Sequence, residues 1–464
     1  MTDRLSIRAT LVAMLVMAAS CGEGGKATPV IKPGVVGGGD GSKEENAQGV
    51  GETMPAWKEG EFDIHFINTT SGECMFLVFP DGTQMLIDAA GSQVSTGTVG
   101  STTNTGIRKR WDPTRNGTLY GEFISRYIRQ VMVWTGNKTI DYVLLTHFHN
   151  DHFGGANGLP VSDNSSTYTK QSLPLIMDTF PIGKLMDRGY PEYNYPFDMA
   201  FQADNASNCK NYITAVKWHV ANKGLNVEKF KAGVNDQITL RRKAGDYPDF
   251  KVQNIAVNGE VWTGQGTGTT KTFPDLKDIV VADTKKVTSG DKCPEENHVS
   301  CVARFSYGPF DFFAGGDMQY DGMSSFAWKD IETPVAKACG PVEVMKADHH
   351  GTANTQGTGY KDKAWAMRYL TPQCWIVNSW TDGHPRAETY NGVTGYLTGT
   401  DVFITNTCDE MKGNLTAFDA KVKGKDGHIV VRVSDGGSIY RIYTLTDSDG
   451  KMTVKSIAGP YKSR

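Results

Sequence analysis

Short apolar runs arriving in pairs, with helical periodicity between them, predict an α/β fold in which two β-sheets are covered by helices. Two observations carry this expectation. Phe62, Ile64 and Phe66 alternate with Asp63 and His65, the period of a strand with one buried face. Phe123, Ile124, Tyr127, Ile128 and Val131 recur at helical spacing, as do Tyr212, Ile213, Val216 and Val220.

In chain order, the first segment reads as an export address. Arg4 and Arg8 precede the apolar stretch Leu11 to Met17, too short to span a bilayer, and Ala18-Ala19-Ser20 leads directly into Cys21. This arrangement resembles a bacterial lipoprotein signal over residues 1–21. The resemblance implies a lipid on Cys21, a place in the periplasm or on the cell surface, and membrane contact through that lipid alone. An ordinary secretory signal would export the chain equally. Residues 22–58, rich in Gly with Lys and Glu and including Gly37-Gly38-Gly39, read as a flexible linker. Residues 59–464 then form the globular domain, with an insertion around 160–290.

Within that domain, strands are expected at Phe62 to Phe66, Cys74 to Pro80 and Met85 to Asp88, the last two separated by the Pro80-Asp81-Gly82 turn. Consecutive strands of this kind are antiparallel neighbours. Further strands are read at Tyr142 to Leu145, Val302 to Tyr307, Phe310 to Ala314, Val342 to Met345, Trp375 to Asn378, Val402 to Thr405, Ile429 to Val433 and Ile439 to Leu445, and a third helix at Lys361 to Leu370. A net charge of −3 and a pI near 6.4 exclude a global basic field for nucleic acid or anionic membrane. Of the 8 cysteines, seven remain after Cys21, and Cys293 and Cys301 bracket a candidate site loop that a disulfide could staple.

Chemistry concentrates in histidines. His147-Phe148-His149-Asn150-Asp151-His152 follows the apolar strand ending at Leu145 and precedes Gly154-Gly155, so it occupies a strand-to-turn junction. On such a turn His147 and His149 can point one way and Asp151 and His152 another, a pattern suited to two adjacent cations. Three buried imidazoles without a metal would be costly to desolvate.

The run is similar to the signature of the metallo-β-lactamase-fold hydrolase superfamily, and further segments follow in that family's order. Asp88 in Leu86-Ile87-Asp88-Ala89-Ala90-Gly91 resembles its early strand-end aspartate, His298 its third histidine, Asp317 in Gly315-Gly316-Asp317-Met318 its bridging aspartate, and His349-His350-Gly351-Thr352 its last ligand segment. The likeness implies an αββα sandwich, two mixed β-sheets flanked by helices, over residues 61 to 410. It implies two Zn²⁺, with Mn²⁺ or Fe as alternatives. His147, His149 and His298 would hold one cation, Asp151, His152 and His350 the other, with Asp317 shared, and a metal-bridging hydroxide would attack the substrate.

A narrower likeness rests on the double histidine followed by Ser379-Trp380-Thr381-Asp382-Gly383-His384-Pro385 and a strand ending at Thr405-Asn406-Thr407. These segments resemble the hydrolase domain of ComEC-type proteins and exported phosphorylcholine-esterase-like relatives, which implies a small or polymeric phosphodiester substrate, nucleic acid included. The chain departs from that pattern where Asn68-Thr69-Thr70-Ser71-Gly72-Glu73 stands in place of Val-Gly-Gln-Gly, and in the long stretch between His152 and His298.

Asp151, His349 and His384 are the candidate catalytic residues. His350 is expected to be the ligand and His349 to face substrate, while His384 either donates to a phosphoryl oxygen or only shapes its turn. Lys346 either ends a core strand or meets an anionic substrate. The cluster Arg188-Gly189-Tyr190-Pro191-Glu192-Tyr193-Asn194-Tyr195-Pro196-Phe197 either covers the helix at Tyr212 to Val220 or lines the pocket. His65, His219 and His428 lie off the pattern. The expected function is thus an exported dinuclear-zinc phosphodiesterase or nuclease. A lactamase or lactonase on the same fold and a non-catalytic exported binding lipoprotein are the alternatives.

Overall fold

The computed structural model describes residues 49–91, 118–201, 203, 205–275, 278, 293–320, 326–353, 355–356, 366–381, 383–407, 421–447 and 450–464. The signal segment, most of the linker, Cys408 and the first half of the helix expected at Lys361 to Leu370 lie outside the described residues.

Two mixed sheets form the centre. The first contains β1 (Phe62–Phe66), β2 (Met75–Val78), β3 (Gln84–Ile87), β4 (Ile140–Leu144), β5 (Ile182–Asp187) and β6 (Val227–Lys229), with the C-terminal β16 (His428–Ser434), β17 (Ile439–Leu445) and β18 (Val454–Lys462). Among the described residues its order is β18-β17-β16-β1-β2-β3-β4-β5-β6, antiparallel up to β3 and parallel from β3 onward. The second holds β7 (Phe250–Val257), β8 (Glu260–Trp262), β9 (Thr269–Lys271), β10 (Val302–Tyr307), β11 (Phe310–Ala314), β12 (Val344–Lys346), β13 (Cys374–Val377), β14 (Asp401–Ile404) and β15 (Val422–Lys425). It runs β15-β14-β13-β12-β11-β10-β7-β8-β9, parallel from β15 to β11 and antiparallel beyond.

Alternation explains the packing. In β1, Phe62, Ile64 and Phe66 turn toward the other sheet, and within its own sheet Ile64 is flanked by Leu77 of β2 and Val431 of β16. They meet Phe305, Phe312 and Val344 in an aromatic-rich core between the sheets. Burying each phenylalanine there contributes about 1.5–3 kcal/mol.

The outer faces are covered by helices. α1 (Tyr120–Thr135) starts where the Glu122 carboxylate accepts the Leu119 N–H at 2.9 Å and stops at Gly136, whose left-handed backbone (φ 69°) returns its N–H to Met132. Its Ile124, Ile128 and Val131 pack on the first sheet beside α3 (Ser172–Thr179) and α4 (Ala206–Lys223). α2 (Asn150–Phe153) is a single turn at the histidine run. α5 (Glu332–Cys339), α6 (Met367–Leu370) and α7 (Ala387–Tyr396) cover the second sheet through Val335, Leu370, Tyr390 and Val393. The result is an αββα sandwich. No described helix is long and apolar enough to cross a membrane.

Three details refine the reading of the chain. Residues ahead of 59 already dock on the domain: Thr53 bridges Thr453, the Met54 N–H reaches the Met452 carbonyl at 3.0 Å, and Met54 and Trp57 are buried. The segment around 160–290 is woven into both sheets, giving β5 and β6 to the first and β7 to β9 to the second. The Cys293–Cys301 staple does not form. Cys301 is a free thiol buried in the core between the sheets, where burial raises its pKa well above the ordinary value.

Candidate metal centre

Parallel pairing gathers the site. β3 and β4 end side by side, as do β11, β12 and β13, so the residues that follow each strand meet at one edge of the sandwich. Asp88, just past β3 and held at φ 56°, accepts the Thr146 N–H at 2.8 Å and the Thr146 hydroxyl at 2.7 Å. It also accepts from His152 Nδ1 at 2.8 Å. A carboxylate can only accept, so the proton of His152 is on Nδ1, and Nε2 is left facing Asp317 Oδ2 at 3.0 Å.

That contact is the diagnostic one. A neutral imidazole lone pair aimed at a carboxylate oxygen is repulsive unless a proton or a cation lies between them. Burial lowers the pKa of His152, but the carboxylates of Asp317, Asp88 and Asp151 outweigh it and hold the value well above the usual histidine range. The same demand recurs around Asp317 Oδ2: His350 Nε2 lies at 3.0 Å and His147 Nε2 at 3.9 Å. His350 Nε2 is also 3.4 Å from Asp151 Oδ2, and neither of its ring nitrogens has a hydrogen-bond partner among the described residues. His147 Nε2 is 3.2 Å from His149 Nδ1.

Two residues absent from the predicted set join this cluster. Glu73, His152, Asp317 and His350 each offer a ligand atom within 4.8 Å of the others, all four buried. Lys346 Nζ lies 2.7 Å from Glu73 Oε2 and 3.3 Å from Asp317 Oδ1, and donates to the Gly316 carbonyl. Burial lowers the lysine pKa, yet Glu73 and Asp317 raise it above the ordinary value, so the ammonium stays charged. Of the two readings of Lys346, the strand end is the one the structure shows: Lys346 closes β12, and its ammonium is engaged with Glu73 and Asp317.

Glu73 reaches the site through a tight turn. Its N–H donates to the Asp151 carbonyl and its own carbonyl accepts from Ala90, both at 2.8 Å. Gly72 before it has φ 104°, and a Cβ there would overlap the Asp151 carbonyl oxygen and Ala90. The available signal was a carboxylate beside a glycine at the head of the fully apolar run from Cys74.

The remaining predicted residues are placed differently. His298 is buried, accepts the Glu295 N–H on Nδ1 at 3.2 Å and leaves Nε2 unpartnered. Burial, with Lys329 and His349 adding to it, pulls its pKa down to about 3, so the ring is neutral. Among the described residues no hydrogen bond or ring contact joins it to His147 or His149. His349 turns to Asn297, 3.3 Å from its amide nitrogen, and burial lowers its pKa to about 4. His384 packs on Trp380 at 4.3 Å and His350 at 5.0 Å between ring centroids, and its Nδ1 has no partner. The off-pattern histidines are structural: His65 meets Tyr127, His219 meets Asp178, and His428 accepts the Asn68 N–H.

The donor set fits a divalent cation. It offers imidazole nitrogens and carboxylate oxygens, is buried, and leaves Glu73 Oε1 and His350 Nδ1 without hydrogen bonds, an arrangement that is costly unless a ligand completes it.

Comparison with known proteins agrees with this geometry. The family model of the metallo-beta-lactamase superfamily matches residues 135–169, which span β4 and the histidine run. A comparison with curated proteins returned no match. Among solved structures, the chain is similar to an isothiocyanate hydrolase from Delia radicum gut bacteria at 11% identity and a TM-score of 0.31, covering 78% of this chain and 95% of that one. Over the matched segment, which carries β4 and the histidine run, the chain is similar to the metallo-β-lactamase superfamily, and there it lies at the edge of the two-sheet sandwich where the buried histidine–carboxylate cluster forms.

Proposed function

We propose that the chain is an exported, metal-dependent hydrolase that uses two divalent cations, zinc in the first instance, to cleave phosphodiesters. The carrying observation is the convergence of His147, His152 and His350 on one oxygen of Asp317, with Asp151 beside them. Asp151, His152 and His350 would hold one cation, His147 and His149 with His298 the other, and Asp317 would lie between. Such ions supply Lewis acidity and bring the pKa of a water to about 7.

The chain's own groups supply the rest. Asp88 fixes the tautomer of His152 and thereby aims its free nitrogen. Lys346 pins Glu73 and Asp317, so the acids cannot swing away as a substrate arrives. His349 and His384 are held neutral by burial and lie beside His350, where they can donate to phosphoryl oxygens. Phosphodiesters are favoured by the likeness of His349-His350-Gly351-Thr352 and the His384-Pro385 segment to ComEC-type hydrolase domains. The lipoprotein-like start supports anchoring at Cys21.

The test is metal analysis of the mature protein followed by a substrate panel. Two equivalents of metal and turnover of bis-p-nitrophenyl phosphate that disappears in Asp151→Ala support the proposal. Turnover of nitrocefin or an acyl-homoserine lactone without diester cleavage makes the protein a lactamase or lactonase. Metal-free protein inert to every ester leaves a binding lipoprotein.

A further inference from the structure

The backbone of the histidine run is gripped by the long segment that follows it. The Phe148 N–H donates to Glu296 Oε1 at 2.7 Å, and the Phe148 carbonyl accepts from Asn205 Nδ2. Asn205 and Asn208 both donate to Asn150 Oδ1, at 3.1 and 2.6 Å, and Asn208 Oδ1 accepts the Ala156 N–H at 2.8 Å. Glu296 is itself locked by Arg188, whose Nε donates to the same Oε1 at 2.7 Å and whose Nη2 donates to Oε2. Arg188 is fully buried, lies 4.9 Å over the Phe148 ring and donates to the Tyr195 carbonyl at 2.8 Å. Tyr193 and Tyr212 close the other side of that ring at 6.0 and 5.7 Å between centroids, and both hydroxyls end on Asp187.

We infer that this segment is a positioning clamp for the metal loop. Glu296, held by Arg188, and Asn205 seize the two peptides that flank Phe148, one by its N–H and the other by its carbonyl, and so set the directions of His147 and His149. The chemistry explains why such a clamp is needed. Two imidazoles with one residue between them must present nitrogens to the same small volume, and the two peptides on either side of that residue are the only covalent link that sets their relative aim. A neutral acceptor could bond the Phe148 N–H, but a carboxylate bonds it more strongly, and Arg188 makes burial of that charge tolerable. The aromatic cluster at 188–197 therefore serves as cover and support, with Tyr193 packed against Phe148 and Tyr212. The inference rests on the reading of His147 and His149 as metal ligands.

The experiment compares full-length variants by Zn²⁺ affinity, measured by chelator competition, and by the visible spectrum of the Co²⁺-loaded protein. Glu296→Ala is expected to weaken Zn²⁺ binding by about 10–100-fold and to change the Co²⁺ bands. Glu296→Gln, which keeps an acceptor for the Phe148 N–H, restores much of the affinity. Asn205→Ala gives a smaller loss in the same direction and decides the matter if Glu296→Ala does not fold. Arg432→Met, which breaks a buried ion pair with Asp63 away from the cluster, serves as the stability control and binds Zn²⁺ as the wild type does. Wild-type affinity and spectra in folded Glu296→Ala or Asn205→Ala overturn the clamp alone. A wild-type protein that binds no cation overturns the metal reading and the clamp with it.

Discussion

The histidine–carboxylate clusters around Asp178 and around Asp317 differ in what is left over. Asp178 accepts from Ser162 on one oxygen at 2.7 Å, and from Asn164, Tyr168 and His219 on the other at 2.8, 2.7 and 3.0 Å. Both oxygens have donors, and the cluster ties α3 to α4 and the loop at Ser162. The cluster around Asp317 has the same residue types in the opposite condition: three imidazole nitrogens press on one oxygen, and Glu73 Oε1 and His350 Nδ1 lack hydrogen bonds. Satisfied polar groups hold a fold together, whereas unsatisfied buried ones mark a place completed from outside.

Asp151→Ala should reduce diester hydrolysis by about three orders of magnitude, roughly 4 kcal/mol of transition-state stabilisation, whereas Asp178→Asn leaves kcat within a small factor. Equal losses in the two variants would erase the distinction. Zn²⁺ at a hundredfold excess over Kd should stabilise the wild type by about 2.7 kcal/mol, read as a higher Tm, and Asp317→Asn should abolish that increment.

Asp88→Asn should weaken Zn²⁺ binding by about tenfold or more while leaving the metal-free Tm nearly unchanged, because its amide cannot enforce the His152 tautomer. Asp178→Asn should show the converse, losing about 1–2 kcal/mol of stability with unaltered metal content. Its pH dependence has a defined sign. Burial raises the Asp178 pKa, but the bonds from His219, Ser162, Tyr168 and Asn164 bring it down to about 2 from an ordinary 3.8. The stabilisation is thus fully present above the unfolded value near 3.8 and is lost as pH falls through about 2. An acid-unfolding profile of Asp178→Asn that matches the wild type over that window would rule this out.

Period and composition made much of the sandwich legible. Phe62, Ile64 and Phe66 declare a strand because their alternate neighbours are polar, and α1 and α4 show clear helical stripes. β5 and β6 were not read because the short Val227–Lys229 has too few residues for a period. β7 was missed although Phe250 and Val252 alternate, since the buried polar Asn254 interrupts the pattern. In the site, the histidine run, Asp88, Asp317 and the double histidine stand out through their residue types. Glu73 does not, and Lys346 is legible only as a strand end or a substrate contact, because a lone acid on a turn or a lone lysine ending a strand acquires its partner only when the sheets bring it to Asp317. His298, singled out by order along the chain, lies in the structure beside Glu295, Lys329 and His349, a placement that spacing alone could not give.

The close approach at Gly72 turns one missing methyl group into a diagnostic. Any side chain there must push the turn off the single-turn helix bearing Asp151, and Glu73 would withdraw with it, since the two segments share the Glu73 N–H to Asp151 bond. Homologous chains that carry the histidine run can therefore be sorted by this position. Those with Gly-Glu are expected to bring a further acid and its lysine partner into the cluster, and those with a larger residue are expected to do without both.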